Sequence, residues 1–163
     1  MEIIAVQLDL GRQKERFDFI KGFVDNAKKW GYNTIILYIE CSIRTTVTTF
    51  LDKEDTYSLE ELKEIVEYIE SSGLTLIPAF ENFYHIEKLL QYKEAAEFSE
   101  FADERTEGRG WANERFKRGS VGCTSNPDFN KFFDAYITEI CSVFHGEYIH
   151  RSEEHTSELQ SRV

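Results

Sequence analysis

An α/β fold built on a parallel sheet is what this sequence predicts, and three observations predict it. Short apolar, β-rich runs ("IIAVQLDL" at 3–10, "NTIILYIE" at 33–40, "LTLIPAF" at 74–80 and "EYIH" at 147–150) alternate with amphipathic stretches. The runs stand too far apart for hairpins, so their connections cross over and the strands run parallel. Each run also ends in polar or ionisable residues, in "LDLGR", "YIEC", "PAFENFYH" and "YIH", and a barrel of parallel strands carries its chemistry at that end. The competing architecture is an open doubly wound sheet. Its nucleotide-binding version needs three glycines after the first strand, where "LGRQKER" has one. The prediction is α/β, the N-terminal half of a (β/α)8 TIM barrel, ending after the fourth strand.

The helices follow from period and caps. "QKERFDFIKGFVDNAKKWG" puts Phe17, Ile20, Val24 and Ala27 at helical spacing and stops at Gly31. "CSIRTTVTTFLDKEDTY" is a loop. "SLEELKEIVEYIESSG" opens with Ser58 and carries Glu61 three residues on, a capping box. Leu62, Ile65, Val66 and Ile69 form its buried stripe, and Gly73 ends it. In the third strand Pro78 marks the end of pairing. A long polar and helical stretch runs from "HIEKLLQYKEAAEF" to "GRGWANERFKRGSVGCT", its charge run read as a solvated helix face. "SNPDFNKFFDAYITEICSVF" restarts the helical period with Pro127 in the first turn and phenylalanines on the buried face.

Composition narrows the function. The 163 residues carry a formal charge of −11, with 30 acidic against 19 basic residues. Nucleic acid and anionic membranes reward clustered Lys and Arg, so neither is an expected partner. A neutral ligand such as a sugar fits this balance. Cys41, Cys123 and Cys141 are odd in number and lack a Cys-x-x-Cys pair, which points away from a disulfide framework or zinc site and toward a reducing compartment. The N-terminus lacks a secretory pattern, and a cytoplasmic location is expected. No metal, flavin or phosphate-binding loop is indicated, and no cofactor is expected.

Asp9-x-x-Arg12, "LYIE", "IPAFENFYHIEKLL" and "NPDFNKFFDAYITEICSVFHGEYIH" together resemble glycoside hydrolase family 20, the β-N-acetylhexosaminidase group, over residues 1–150. The resemblance implies a retaining hydrolase of terminal N-acetylhexosamine. In that family the fourth strand runs on as His-x-Gly-x-Asp-Glu. Its Glu is the general acid and base, and its Asp orients the substrate's own 2-acetamido group for attack on the anomeric carbon. His150 would open this motif, but the chain continues Arg-Ser-Glu-Glu-His. "RSEEHTSELQS" resembles the conceptual translation of a widely used sequencing adapter. Residues 151–163 are therefore expected to be a non-native tail, with Glu153, Glu154 and His155 coincidental and the catalytic pair absent. A half-barrel ending here would be inactive, with open edges that favour instability or self-association.

The resemblance also implies substrate-binding roles for Arg12, Glu40, His85 and His150, with Asp9 in a supporting place, bracing Arg12 or the barrel rim. Arg12 would hold sugar hydroxyls; its alternative is a surface arginine at a helix start. Glu40 would bind hydroxyls or else pair with Arg44. His85 matches a "QTLGH"-like turn written here as "ENFYH", with Glu81 for the usual amide and Tyr84 for glycine; the alternative is an ordinary helix-start histidine. His150 either supports the site or is a core histidine. Trp111, in "GRGWANERF", either stacks on a sugar ring or packs as core. Two other functions stay open: another retaining barrel glycosidase, and a non-catalytic carbohydrate-binding relative.

Overall fold

The computed structural model describes residues 2–81, 83–100 and 121–151. Its elements are β1 (Ala5–Asp9), α1 (Phe17–Lys29), β2 (Thr34–Tyr38), β3 (Ile43–Arg44), β4 (Tyr57–Ser58), α2 (Leu59–Ser71), β5 (Thr75–Phe80), α3 (Glu87–Leu90), a 3-10 turn (Ala96–Phe98), α4 (Pro127–Cys141) and β6 (His150–Arg151). The main sheet is parallel throughout, in the order β1-β2-β5-β6. Each new strand is added on the same side of the last. A doubly wound sheet reverses direction at a switch point, and these four strands do not, so the winding is that of a barrel wall.

The strands alternate between two faces, as a pleated backbone must. Leu8 and Leu10, Ile35, Leu37 and Ile39, and Leu76 and Phe80 share one core with Ile20, Val24 and Ala27 of α1, Leu62, Ile65, Val66 and Ile69 of α2, and Tyr136 and Ile140 of α4. The opposite face carries Gln7, Asp9, Ile36, Tyr38, Ile77 and Ala79. Gln7 is exposed and Ile36 and Tyr38 are partly so, whereas Ile77 and Ala79 are buried. This face is open along β1 and closed under β5.

The helix ends behave as their residues require. Ser58 accepts from the Glu61 N–H while the Glu61 side chain accepts from the Ser58 N–H, completing the capping box. Asn126 accepts from the Asp128 and Phe129 N–H groups, and Pro127 fills the first turn of α4. Gly31 and Gly73 take φ of +88° and +78°, the left-handed conformation that ends α1 and α2.

Several expectations are corrected. Pro78 does not end pairing, since it stands opposite Leu37 inside β5. Ile39 N–H bonds to Ala79 O, so the polar groups of Ala79 face β2 and those of Pro78 face the other way. There β6 pairs only with Ala79 and Phe80, and the missing N–H interrupts no ladder. The loop after β2 contains a small parallel pair, Ile43–Arg44 with Tyr57–Ser58. The stretch after β5 is helical only over Glu87–Leu90 before the 3-10 turn, because Leu89, Leu90, Ala95 and Phe98 all turn into a second core with Phe129. Phe17 lies at the surface, edge-on to Tyr68 at 6.1 Å, rather than on the buried stripe.

The fourth strand also differs from expectation. It spans His150–Arg151 rather than 147–150, and Tyr148, Ile149 and His150 are exposed. Pairing is a backbone property, so Arg151 completes the ladder opposite Phe80 even though its side chain breaks the apolar pattern. Trp111 and the residues from 152 onward lie outside the described residues, as does most of the charge run.

Ser58→Ala is expected to lower stability by about 1 kcal/mol through loss of the cap. Ile39→Ala, at a fully buried position, should cost about 2–5 kcal/mol. Chemical denaturation of both variants checks the pair. A loss for Ser58→Ala equal to or larger than that for Ile39→Ala would mean that the β2 core does not dominate this region.

Candidate functional site

Register alone assembles a row of side chains. Asp9 pairs with Tyr38, Tyr38 with Ala79 and Ala79 with His150, so these residues share the face opposite the helices. Beyond them, at the C-terminal ends of the strands, come Gly11, Glu40 and Glu81. Tyr38 donates its hydroxyl to Glu81, which is buried. The row therefore opens into a mouth rich in carboxyl groups.

At the β1 end, Asp9 Oδ1 accepts from the Gly11 N–H at 2.8 Å, closing a tight turn. Its other oxygen lies 3.5 Å from Arg12 Nε. Asp9 thus contacts Arg12 and leaves the guanidinium largely in solvent, with 73% of the side chain exposed. Its donors remain available to a ligand, and a planar fork suits vicinal hydroxyls better than an ammonium does.

Glu40 follows β2 with φ of +45°, a left-handed conformation that a glutamate adopts only under constraint from its surroundings. The constraint is visible at Gly11. A Cβ there would lie 2.8 Å from Glu40 Cβ and collide with the Glu40 carboxyl. Glycine permits the two loops to touch, and the contact carries Glu40 over the first strand. Burial pushes the Glu40 carboxyl up to about 7, and Glu87 adds to the rise. Arg12 opposes it, Asp9 adds to it and Lys88 opposes it. Arg44 is committed elsewhere, to Thr56 and to Glu61 at 3.7 Å, so the expected alternative of a Glu40–Arg44 pair does not form.

His85 also takes a left-handed conformation, with φ of +57°. Its Nδ1 stands 4.0 Å from Glu87 Oε1. Glu87 is buried, and its Oε2 has no hydrogen-bond partner among the described residues. The neighbouring Lys88 is anchored by donating to Asp55 O at 3.0 Å. Burial drives the thiol of Cys41 upward, with Glu40 and Glu87 adding to the effect, so Cys41 is not a nucleophile here.

The structure brings Asp9, Arg12 and Glu40 together, with His85 approaching the group through Glu87. It leaves His150 apart. Two strands separate His150 from Asp9, roughly 14 Å at the usual strand spacing. His150 borders an apolar cleft of about 390 Å³ formed with Phe80, Phe83, Phe133, Ile137 and Ile149. It is exposed, so the core-histidine alternative does not hold. A larger groove of about 650 Å³ around Lys14, Tyr57 and Glu61 shares no residue with the mouth. Sequence reasoning missed Gly11, Tyr38 and Glu87. The only signal for Gly11 was a glycine directly after a strand end. Glu87 gave none, because a charged residue beside the apolar pattern of "HIEKLL" reads as solvated.

A wall of sequentially wound parallel strands with its ionisable groups at the C-terminal mouth can be compared with known proteins. The description "Glycosyl hydrolase family 20, catalytic domain" matches residues 7–158. The chain belongs to glycosyl hydrolase family 20. Catalytic domains of this family are TIM barrels, and the α/β wall described above has that fold. The match takes in residues 151–158 as well as the segment where the resemblance was read.

Among solved structures, the chain is similar to a chitobiase from Flavobacterium johnsoniae (20% identity, TM-score 0.74, covering 96% of this chain and 24% of that one). It is also similar to a β-N-acetylhexosaminidase from Bacteroides fragilis (22%, 0.71, 91% and 31%). A third is a mutant Streptomyces plicatus β-hexosaminidase in complex with its product GlcNAc (22%, 0.70, 90% and 31%). The chain spans about a quarter to a third of the length of these proteins. No curated protein sequence matches it.

Two outcomes test this geometry. A carboxyl that titrates at about 7 when folded and at 4.5 ordinarily binds more protons in the native state between those values. Its contribution to stability is therefore complete below pH 4.5 and is lost as pH rises through 7. The total is about 3.5 kcal/mol, at about 1.4 kcal/mol per pH unit. Denaturant titrations across pH 4–9 should show that decline in the native chain and not in Glu40→Gln. Gly11→Ala should cost about 1–3 kcal/mol, since either the loop or Glu40 must move. A neutral Gly11→Ala would show that the two loops do not meet.

Proposed function

We propose that this chain is part of a retaining β-N-acetylhexosaminidase, whose mouth receives a terminal N-acetylhexosamine. The observation that carries the reading is the coincidence of the family match over residues 7–158 with the braced Asp9–Arg12 pair beside Glu40 at the C-terminal ends of β1 and β2. Arg12 would grip the hydroxyls of the non-reducing sugar from solvent, and Glu40 and His85 would complete its surroundings. The product GlcNAc held by the Streptomyces plicatus relative supports this class of ligand.

The reaction of the family is substrate-assisted. The 2-acetamido oxygen attacks the anomeric carbon, one carboxyl orients the acetamido group, and a second protonates the leaving oxygen. Following the family motif from His150, Ser152 stands for its Gly, Glu154 for its Asp and His155 for its acid Glu. A histidine in place of the acid, in a segment that resembles adapter-derived sequence, supports the view that this chain alone is inactive. Loss of general acid assistance removes about 10²–10⁴-fold on its own.

A second reading has one observation in its favour: the family match runs on to residue 158, so Glu153 and Glu154 fall inside it. On that reading the segment is native and supplies the carboxyls.

One assay separates the two readings. Purified chain with 4-nitrophenyl N-acetylglucosaminide should release no product above background. Steady release that Glu154→Gln abolishes would establish the second reading instead. Calorimetric titration with N-acetylglucosamine should show binding that Arg12→Ala weakens about tenfold, or about 1.4 kcal/mol. Absence of any sugar binding would overturn the assignment of the mouth.

A further inference from the structure

The mouth holds an aromatic ring to which the binding roles above give no part. Tyr38 ends β2 on the inner face of the sheet, opposite Ala79 in the register and two residues before Glu40. Its hydroxyl donates to the carboxyl of Glu81, a residue with only 5% of its surface exposed. Glu81 stands two residues beyond Ala79, so the contact runs diagonally from β2 to the end of β5. Diagonal neighbours on adjacent strands lie about 7–8 Å apart, within reach of an aromatic side chain. To make this contact the ring leans along the sheet toward the mouth rather than standing off it. Ala79 leaves the room: the line from Tyr38 to Glu81 passes this residue, which is small and buried.

We propose that Tyr38 is the floor of the mouth, against which one face of a bound pyranose stacks, and that Glu81 is the positioning residue that holds the ring flat for it. The proposal rests on the reading of the mouth as a sugar site, and adds how the body of the sugar, as distinct from its hydroxyls, is recognised. A pyranose presents hydroxyls around its edge and C–H groups on its faces. Arg12 and Glu40 suit the edge. The faces need an apolar surface, and the negative face of an aromatic ring suits C–H groups. Tyr38 keeps part of its surface exposed, on a face of the sheet that is open along β1. His150, the other ring in that row, borders the apolar cleft instead.

The tether to Glu81 sets what Tyr38 can offer. A phenol has one proton to donate, and Glu81 receives it, so the contribution of Tyr38 to a ligand is its ring rather than a donor. A buried carboxyl is costly without hydrogen bonds, so Glu81 resists release of the hydroxyl and the ring stays where the contact puts it. A ring already fixed in place loses little freedom when a sugar settles on it, which leaves more of the contact energy to appear as affinity.

The test titrates N-acetylglucosamine into the 163-residue chain by calorimetry and follows the sugar C–H protons by NMR. Protons seated over an aromatic ring move upfield, and those of one pyranose face should do so in the native chain. Tyr38→Ala is expected to weaken binding about tenfold and to remove the upfield shift. Tyr38→Phe, which keeps the ring and loses the tether, should weaken binding about threefold and guards against a fold lost in the alanine variant. Glu81→Ala should behave as Tyr38→Phe does, whereas Glu81→Gln, whose amide oxygen still accepts from the hydroxyl, should bind more tightly than Glu81→Ala. Binding that Arg12→Ala weakens but neither Tyr38 variant changes would overturn the proposal and leave the sugar site standing. Sugar that binds the native chain without an upfield shift overturns the stacking. Equal losses in Glu81→Gln and Glu81→Ala overturn the positioning role. Absence of any binding to the native chain refutes the sugar site and the floor together.

Discussion

Burial of Ile35, Leu37 and Ile39 against the helices is the constraint from which the rest of this structure follows. These residues lie on one face of β2, the strand that pairs with both β1 and β5, and all three are fully buried. A pleated strand gives its side chains no choice. Once the odd-numbered residues face α1 and α2, Ile36, Tyr38 and Glu40 must face the other way. A slip of one residue would bury Tyr38 and Glu40 among the helices and expose the isoleucines. Registering β1 and β5 on this strand then carries Asp9 and Ala79 into line with Tyr38. The mouth is thus a by-product of core packing.

What distinguishes the mouth from a plain strand end is how closely its carboxyl groups are held. Asp9 braces Arg12, Tyr38 binds Glu81, and Gly11 lets Glu40 cross onto the first loop. Two residues that are not glycine, Glu40 and His85, occupy left-handed backbone within this small region. Strain of this kind is held in place by surrounding structure and gathers where side chains must be aimed. Among the described residues, Asp9, Glu40, Glu81 and Glu87 gather here with Arg12, which Asp9 holds, and Lys88, which the Asp55 carbonyl holds. Burial raises the Glu40 carboxyl to about 7, and Glu87 and Asp9 add to the rise.

The sheet is well built from β1 to β5 and slight at β6. β2 and β5 pair over five residues, while β6 contributes two and leaves Ile149 and His150 in solvent. Open parallel edges invite pairing with further strands. Relatives of the same fold are three to four times as long as this chain, consistent with the wall being one sector of a larger barrel.

Much of this was legible in the sequence, because the decisive signals are local. Alternating apolar runs gave the strands, Ser58 with Glu61 and Pro127 gave helix starts, Gly31 and Gly73 gave helix ends, and the polar residues after each strand marked the mouth. The family resemblance is what points to Arg12 and Glu40, and to Asp9 as a brace for Arg12 or the barrel rim; the structure places all three at strand ends. Other features depended on distances across crossovers that no local pattern encodes. Pro78 could lie inside a strand only because its neighbour on that side starts one residue later. Gly11 mattered because of a side chain 29 positions away. Glu87 is buried at the start of α3 because the packing around that short helix, not its sequence pattern, sets its surroundings. The period of each segment belongs to the sequence itself; which segments meet, and how dry the meeting place is, belongs to the packed tertiary structure, since desolvation and like-charge repulsion exist only once the chain has closed around them.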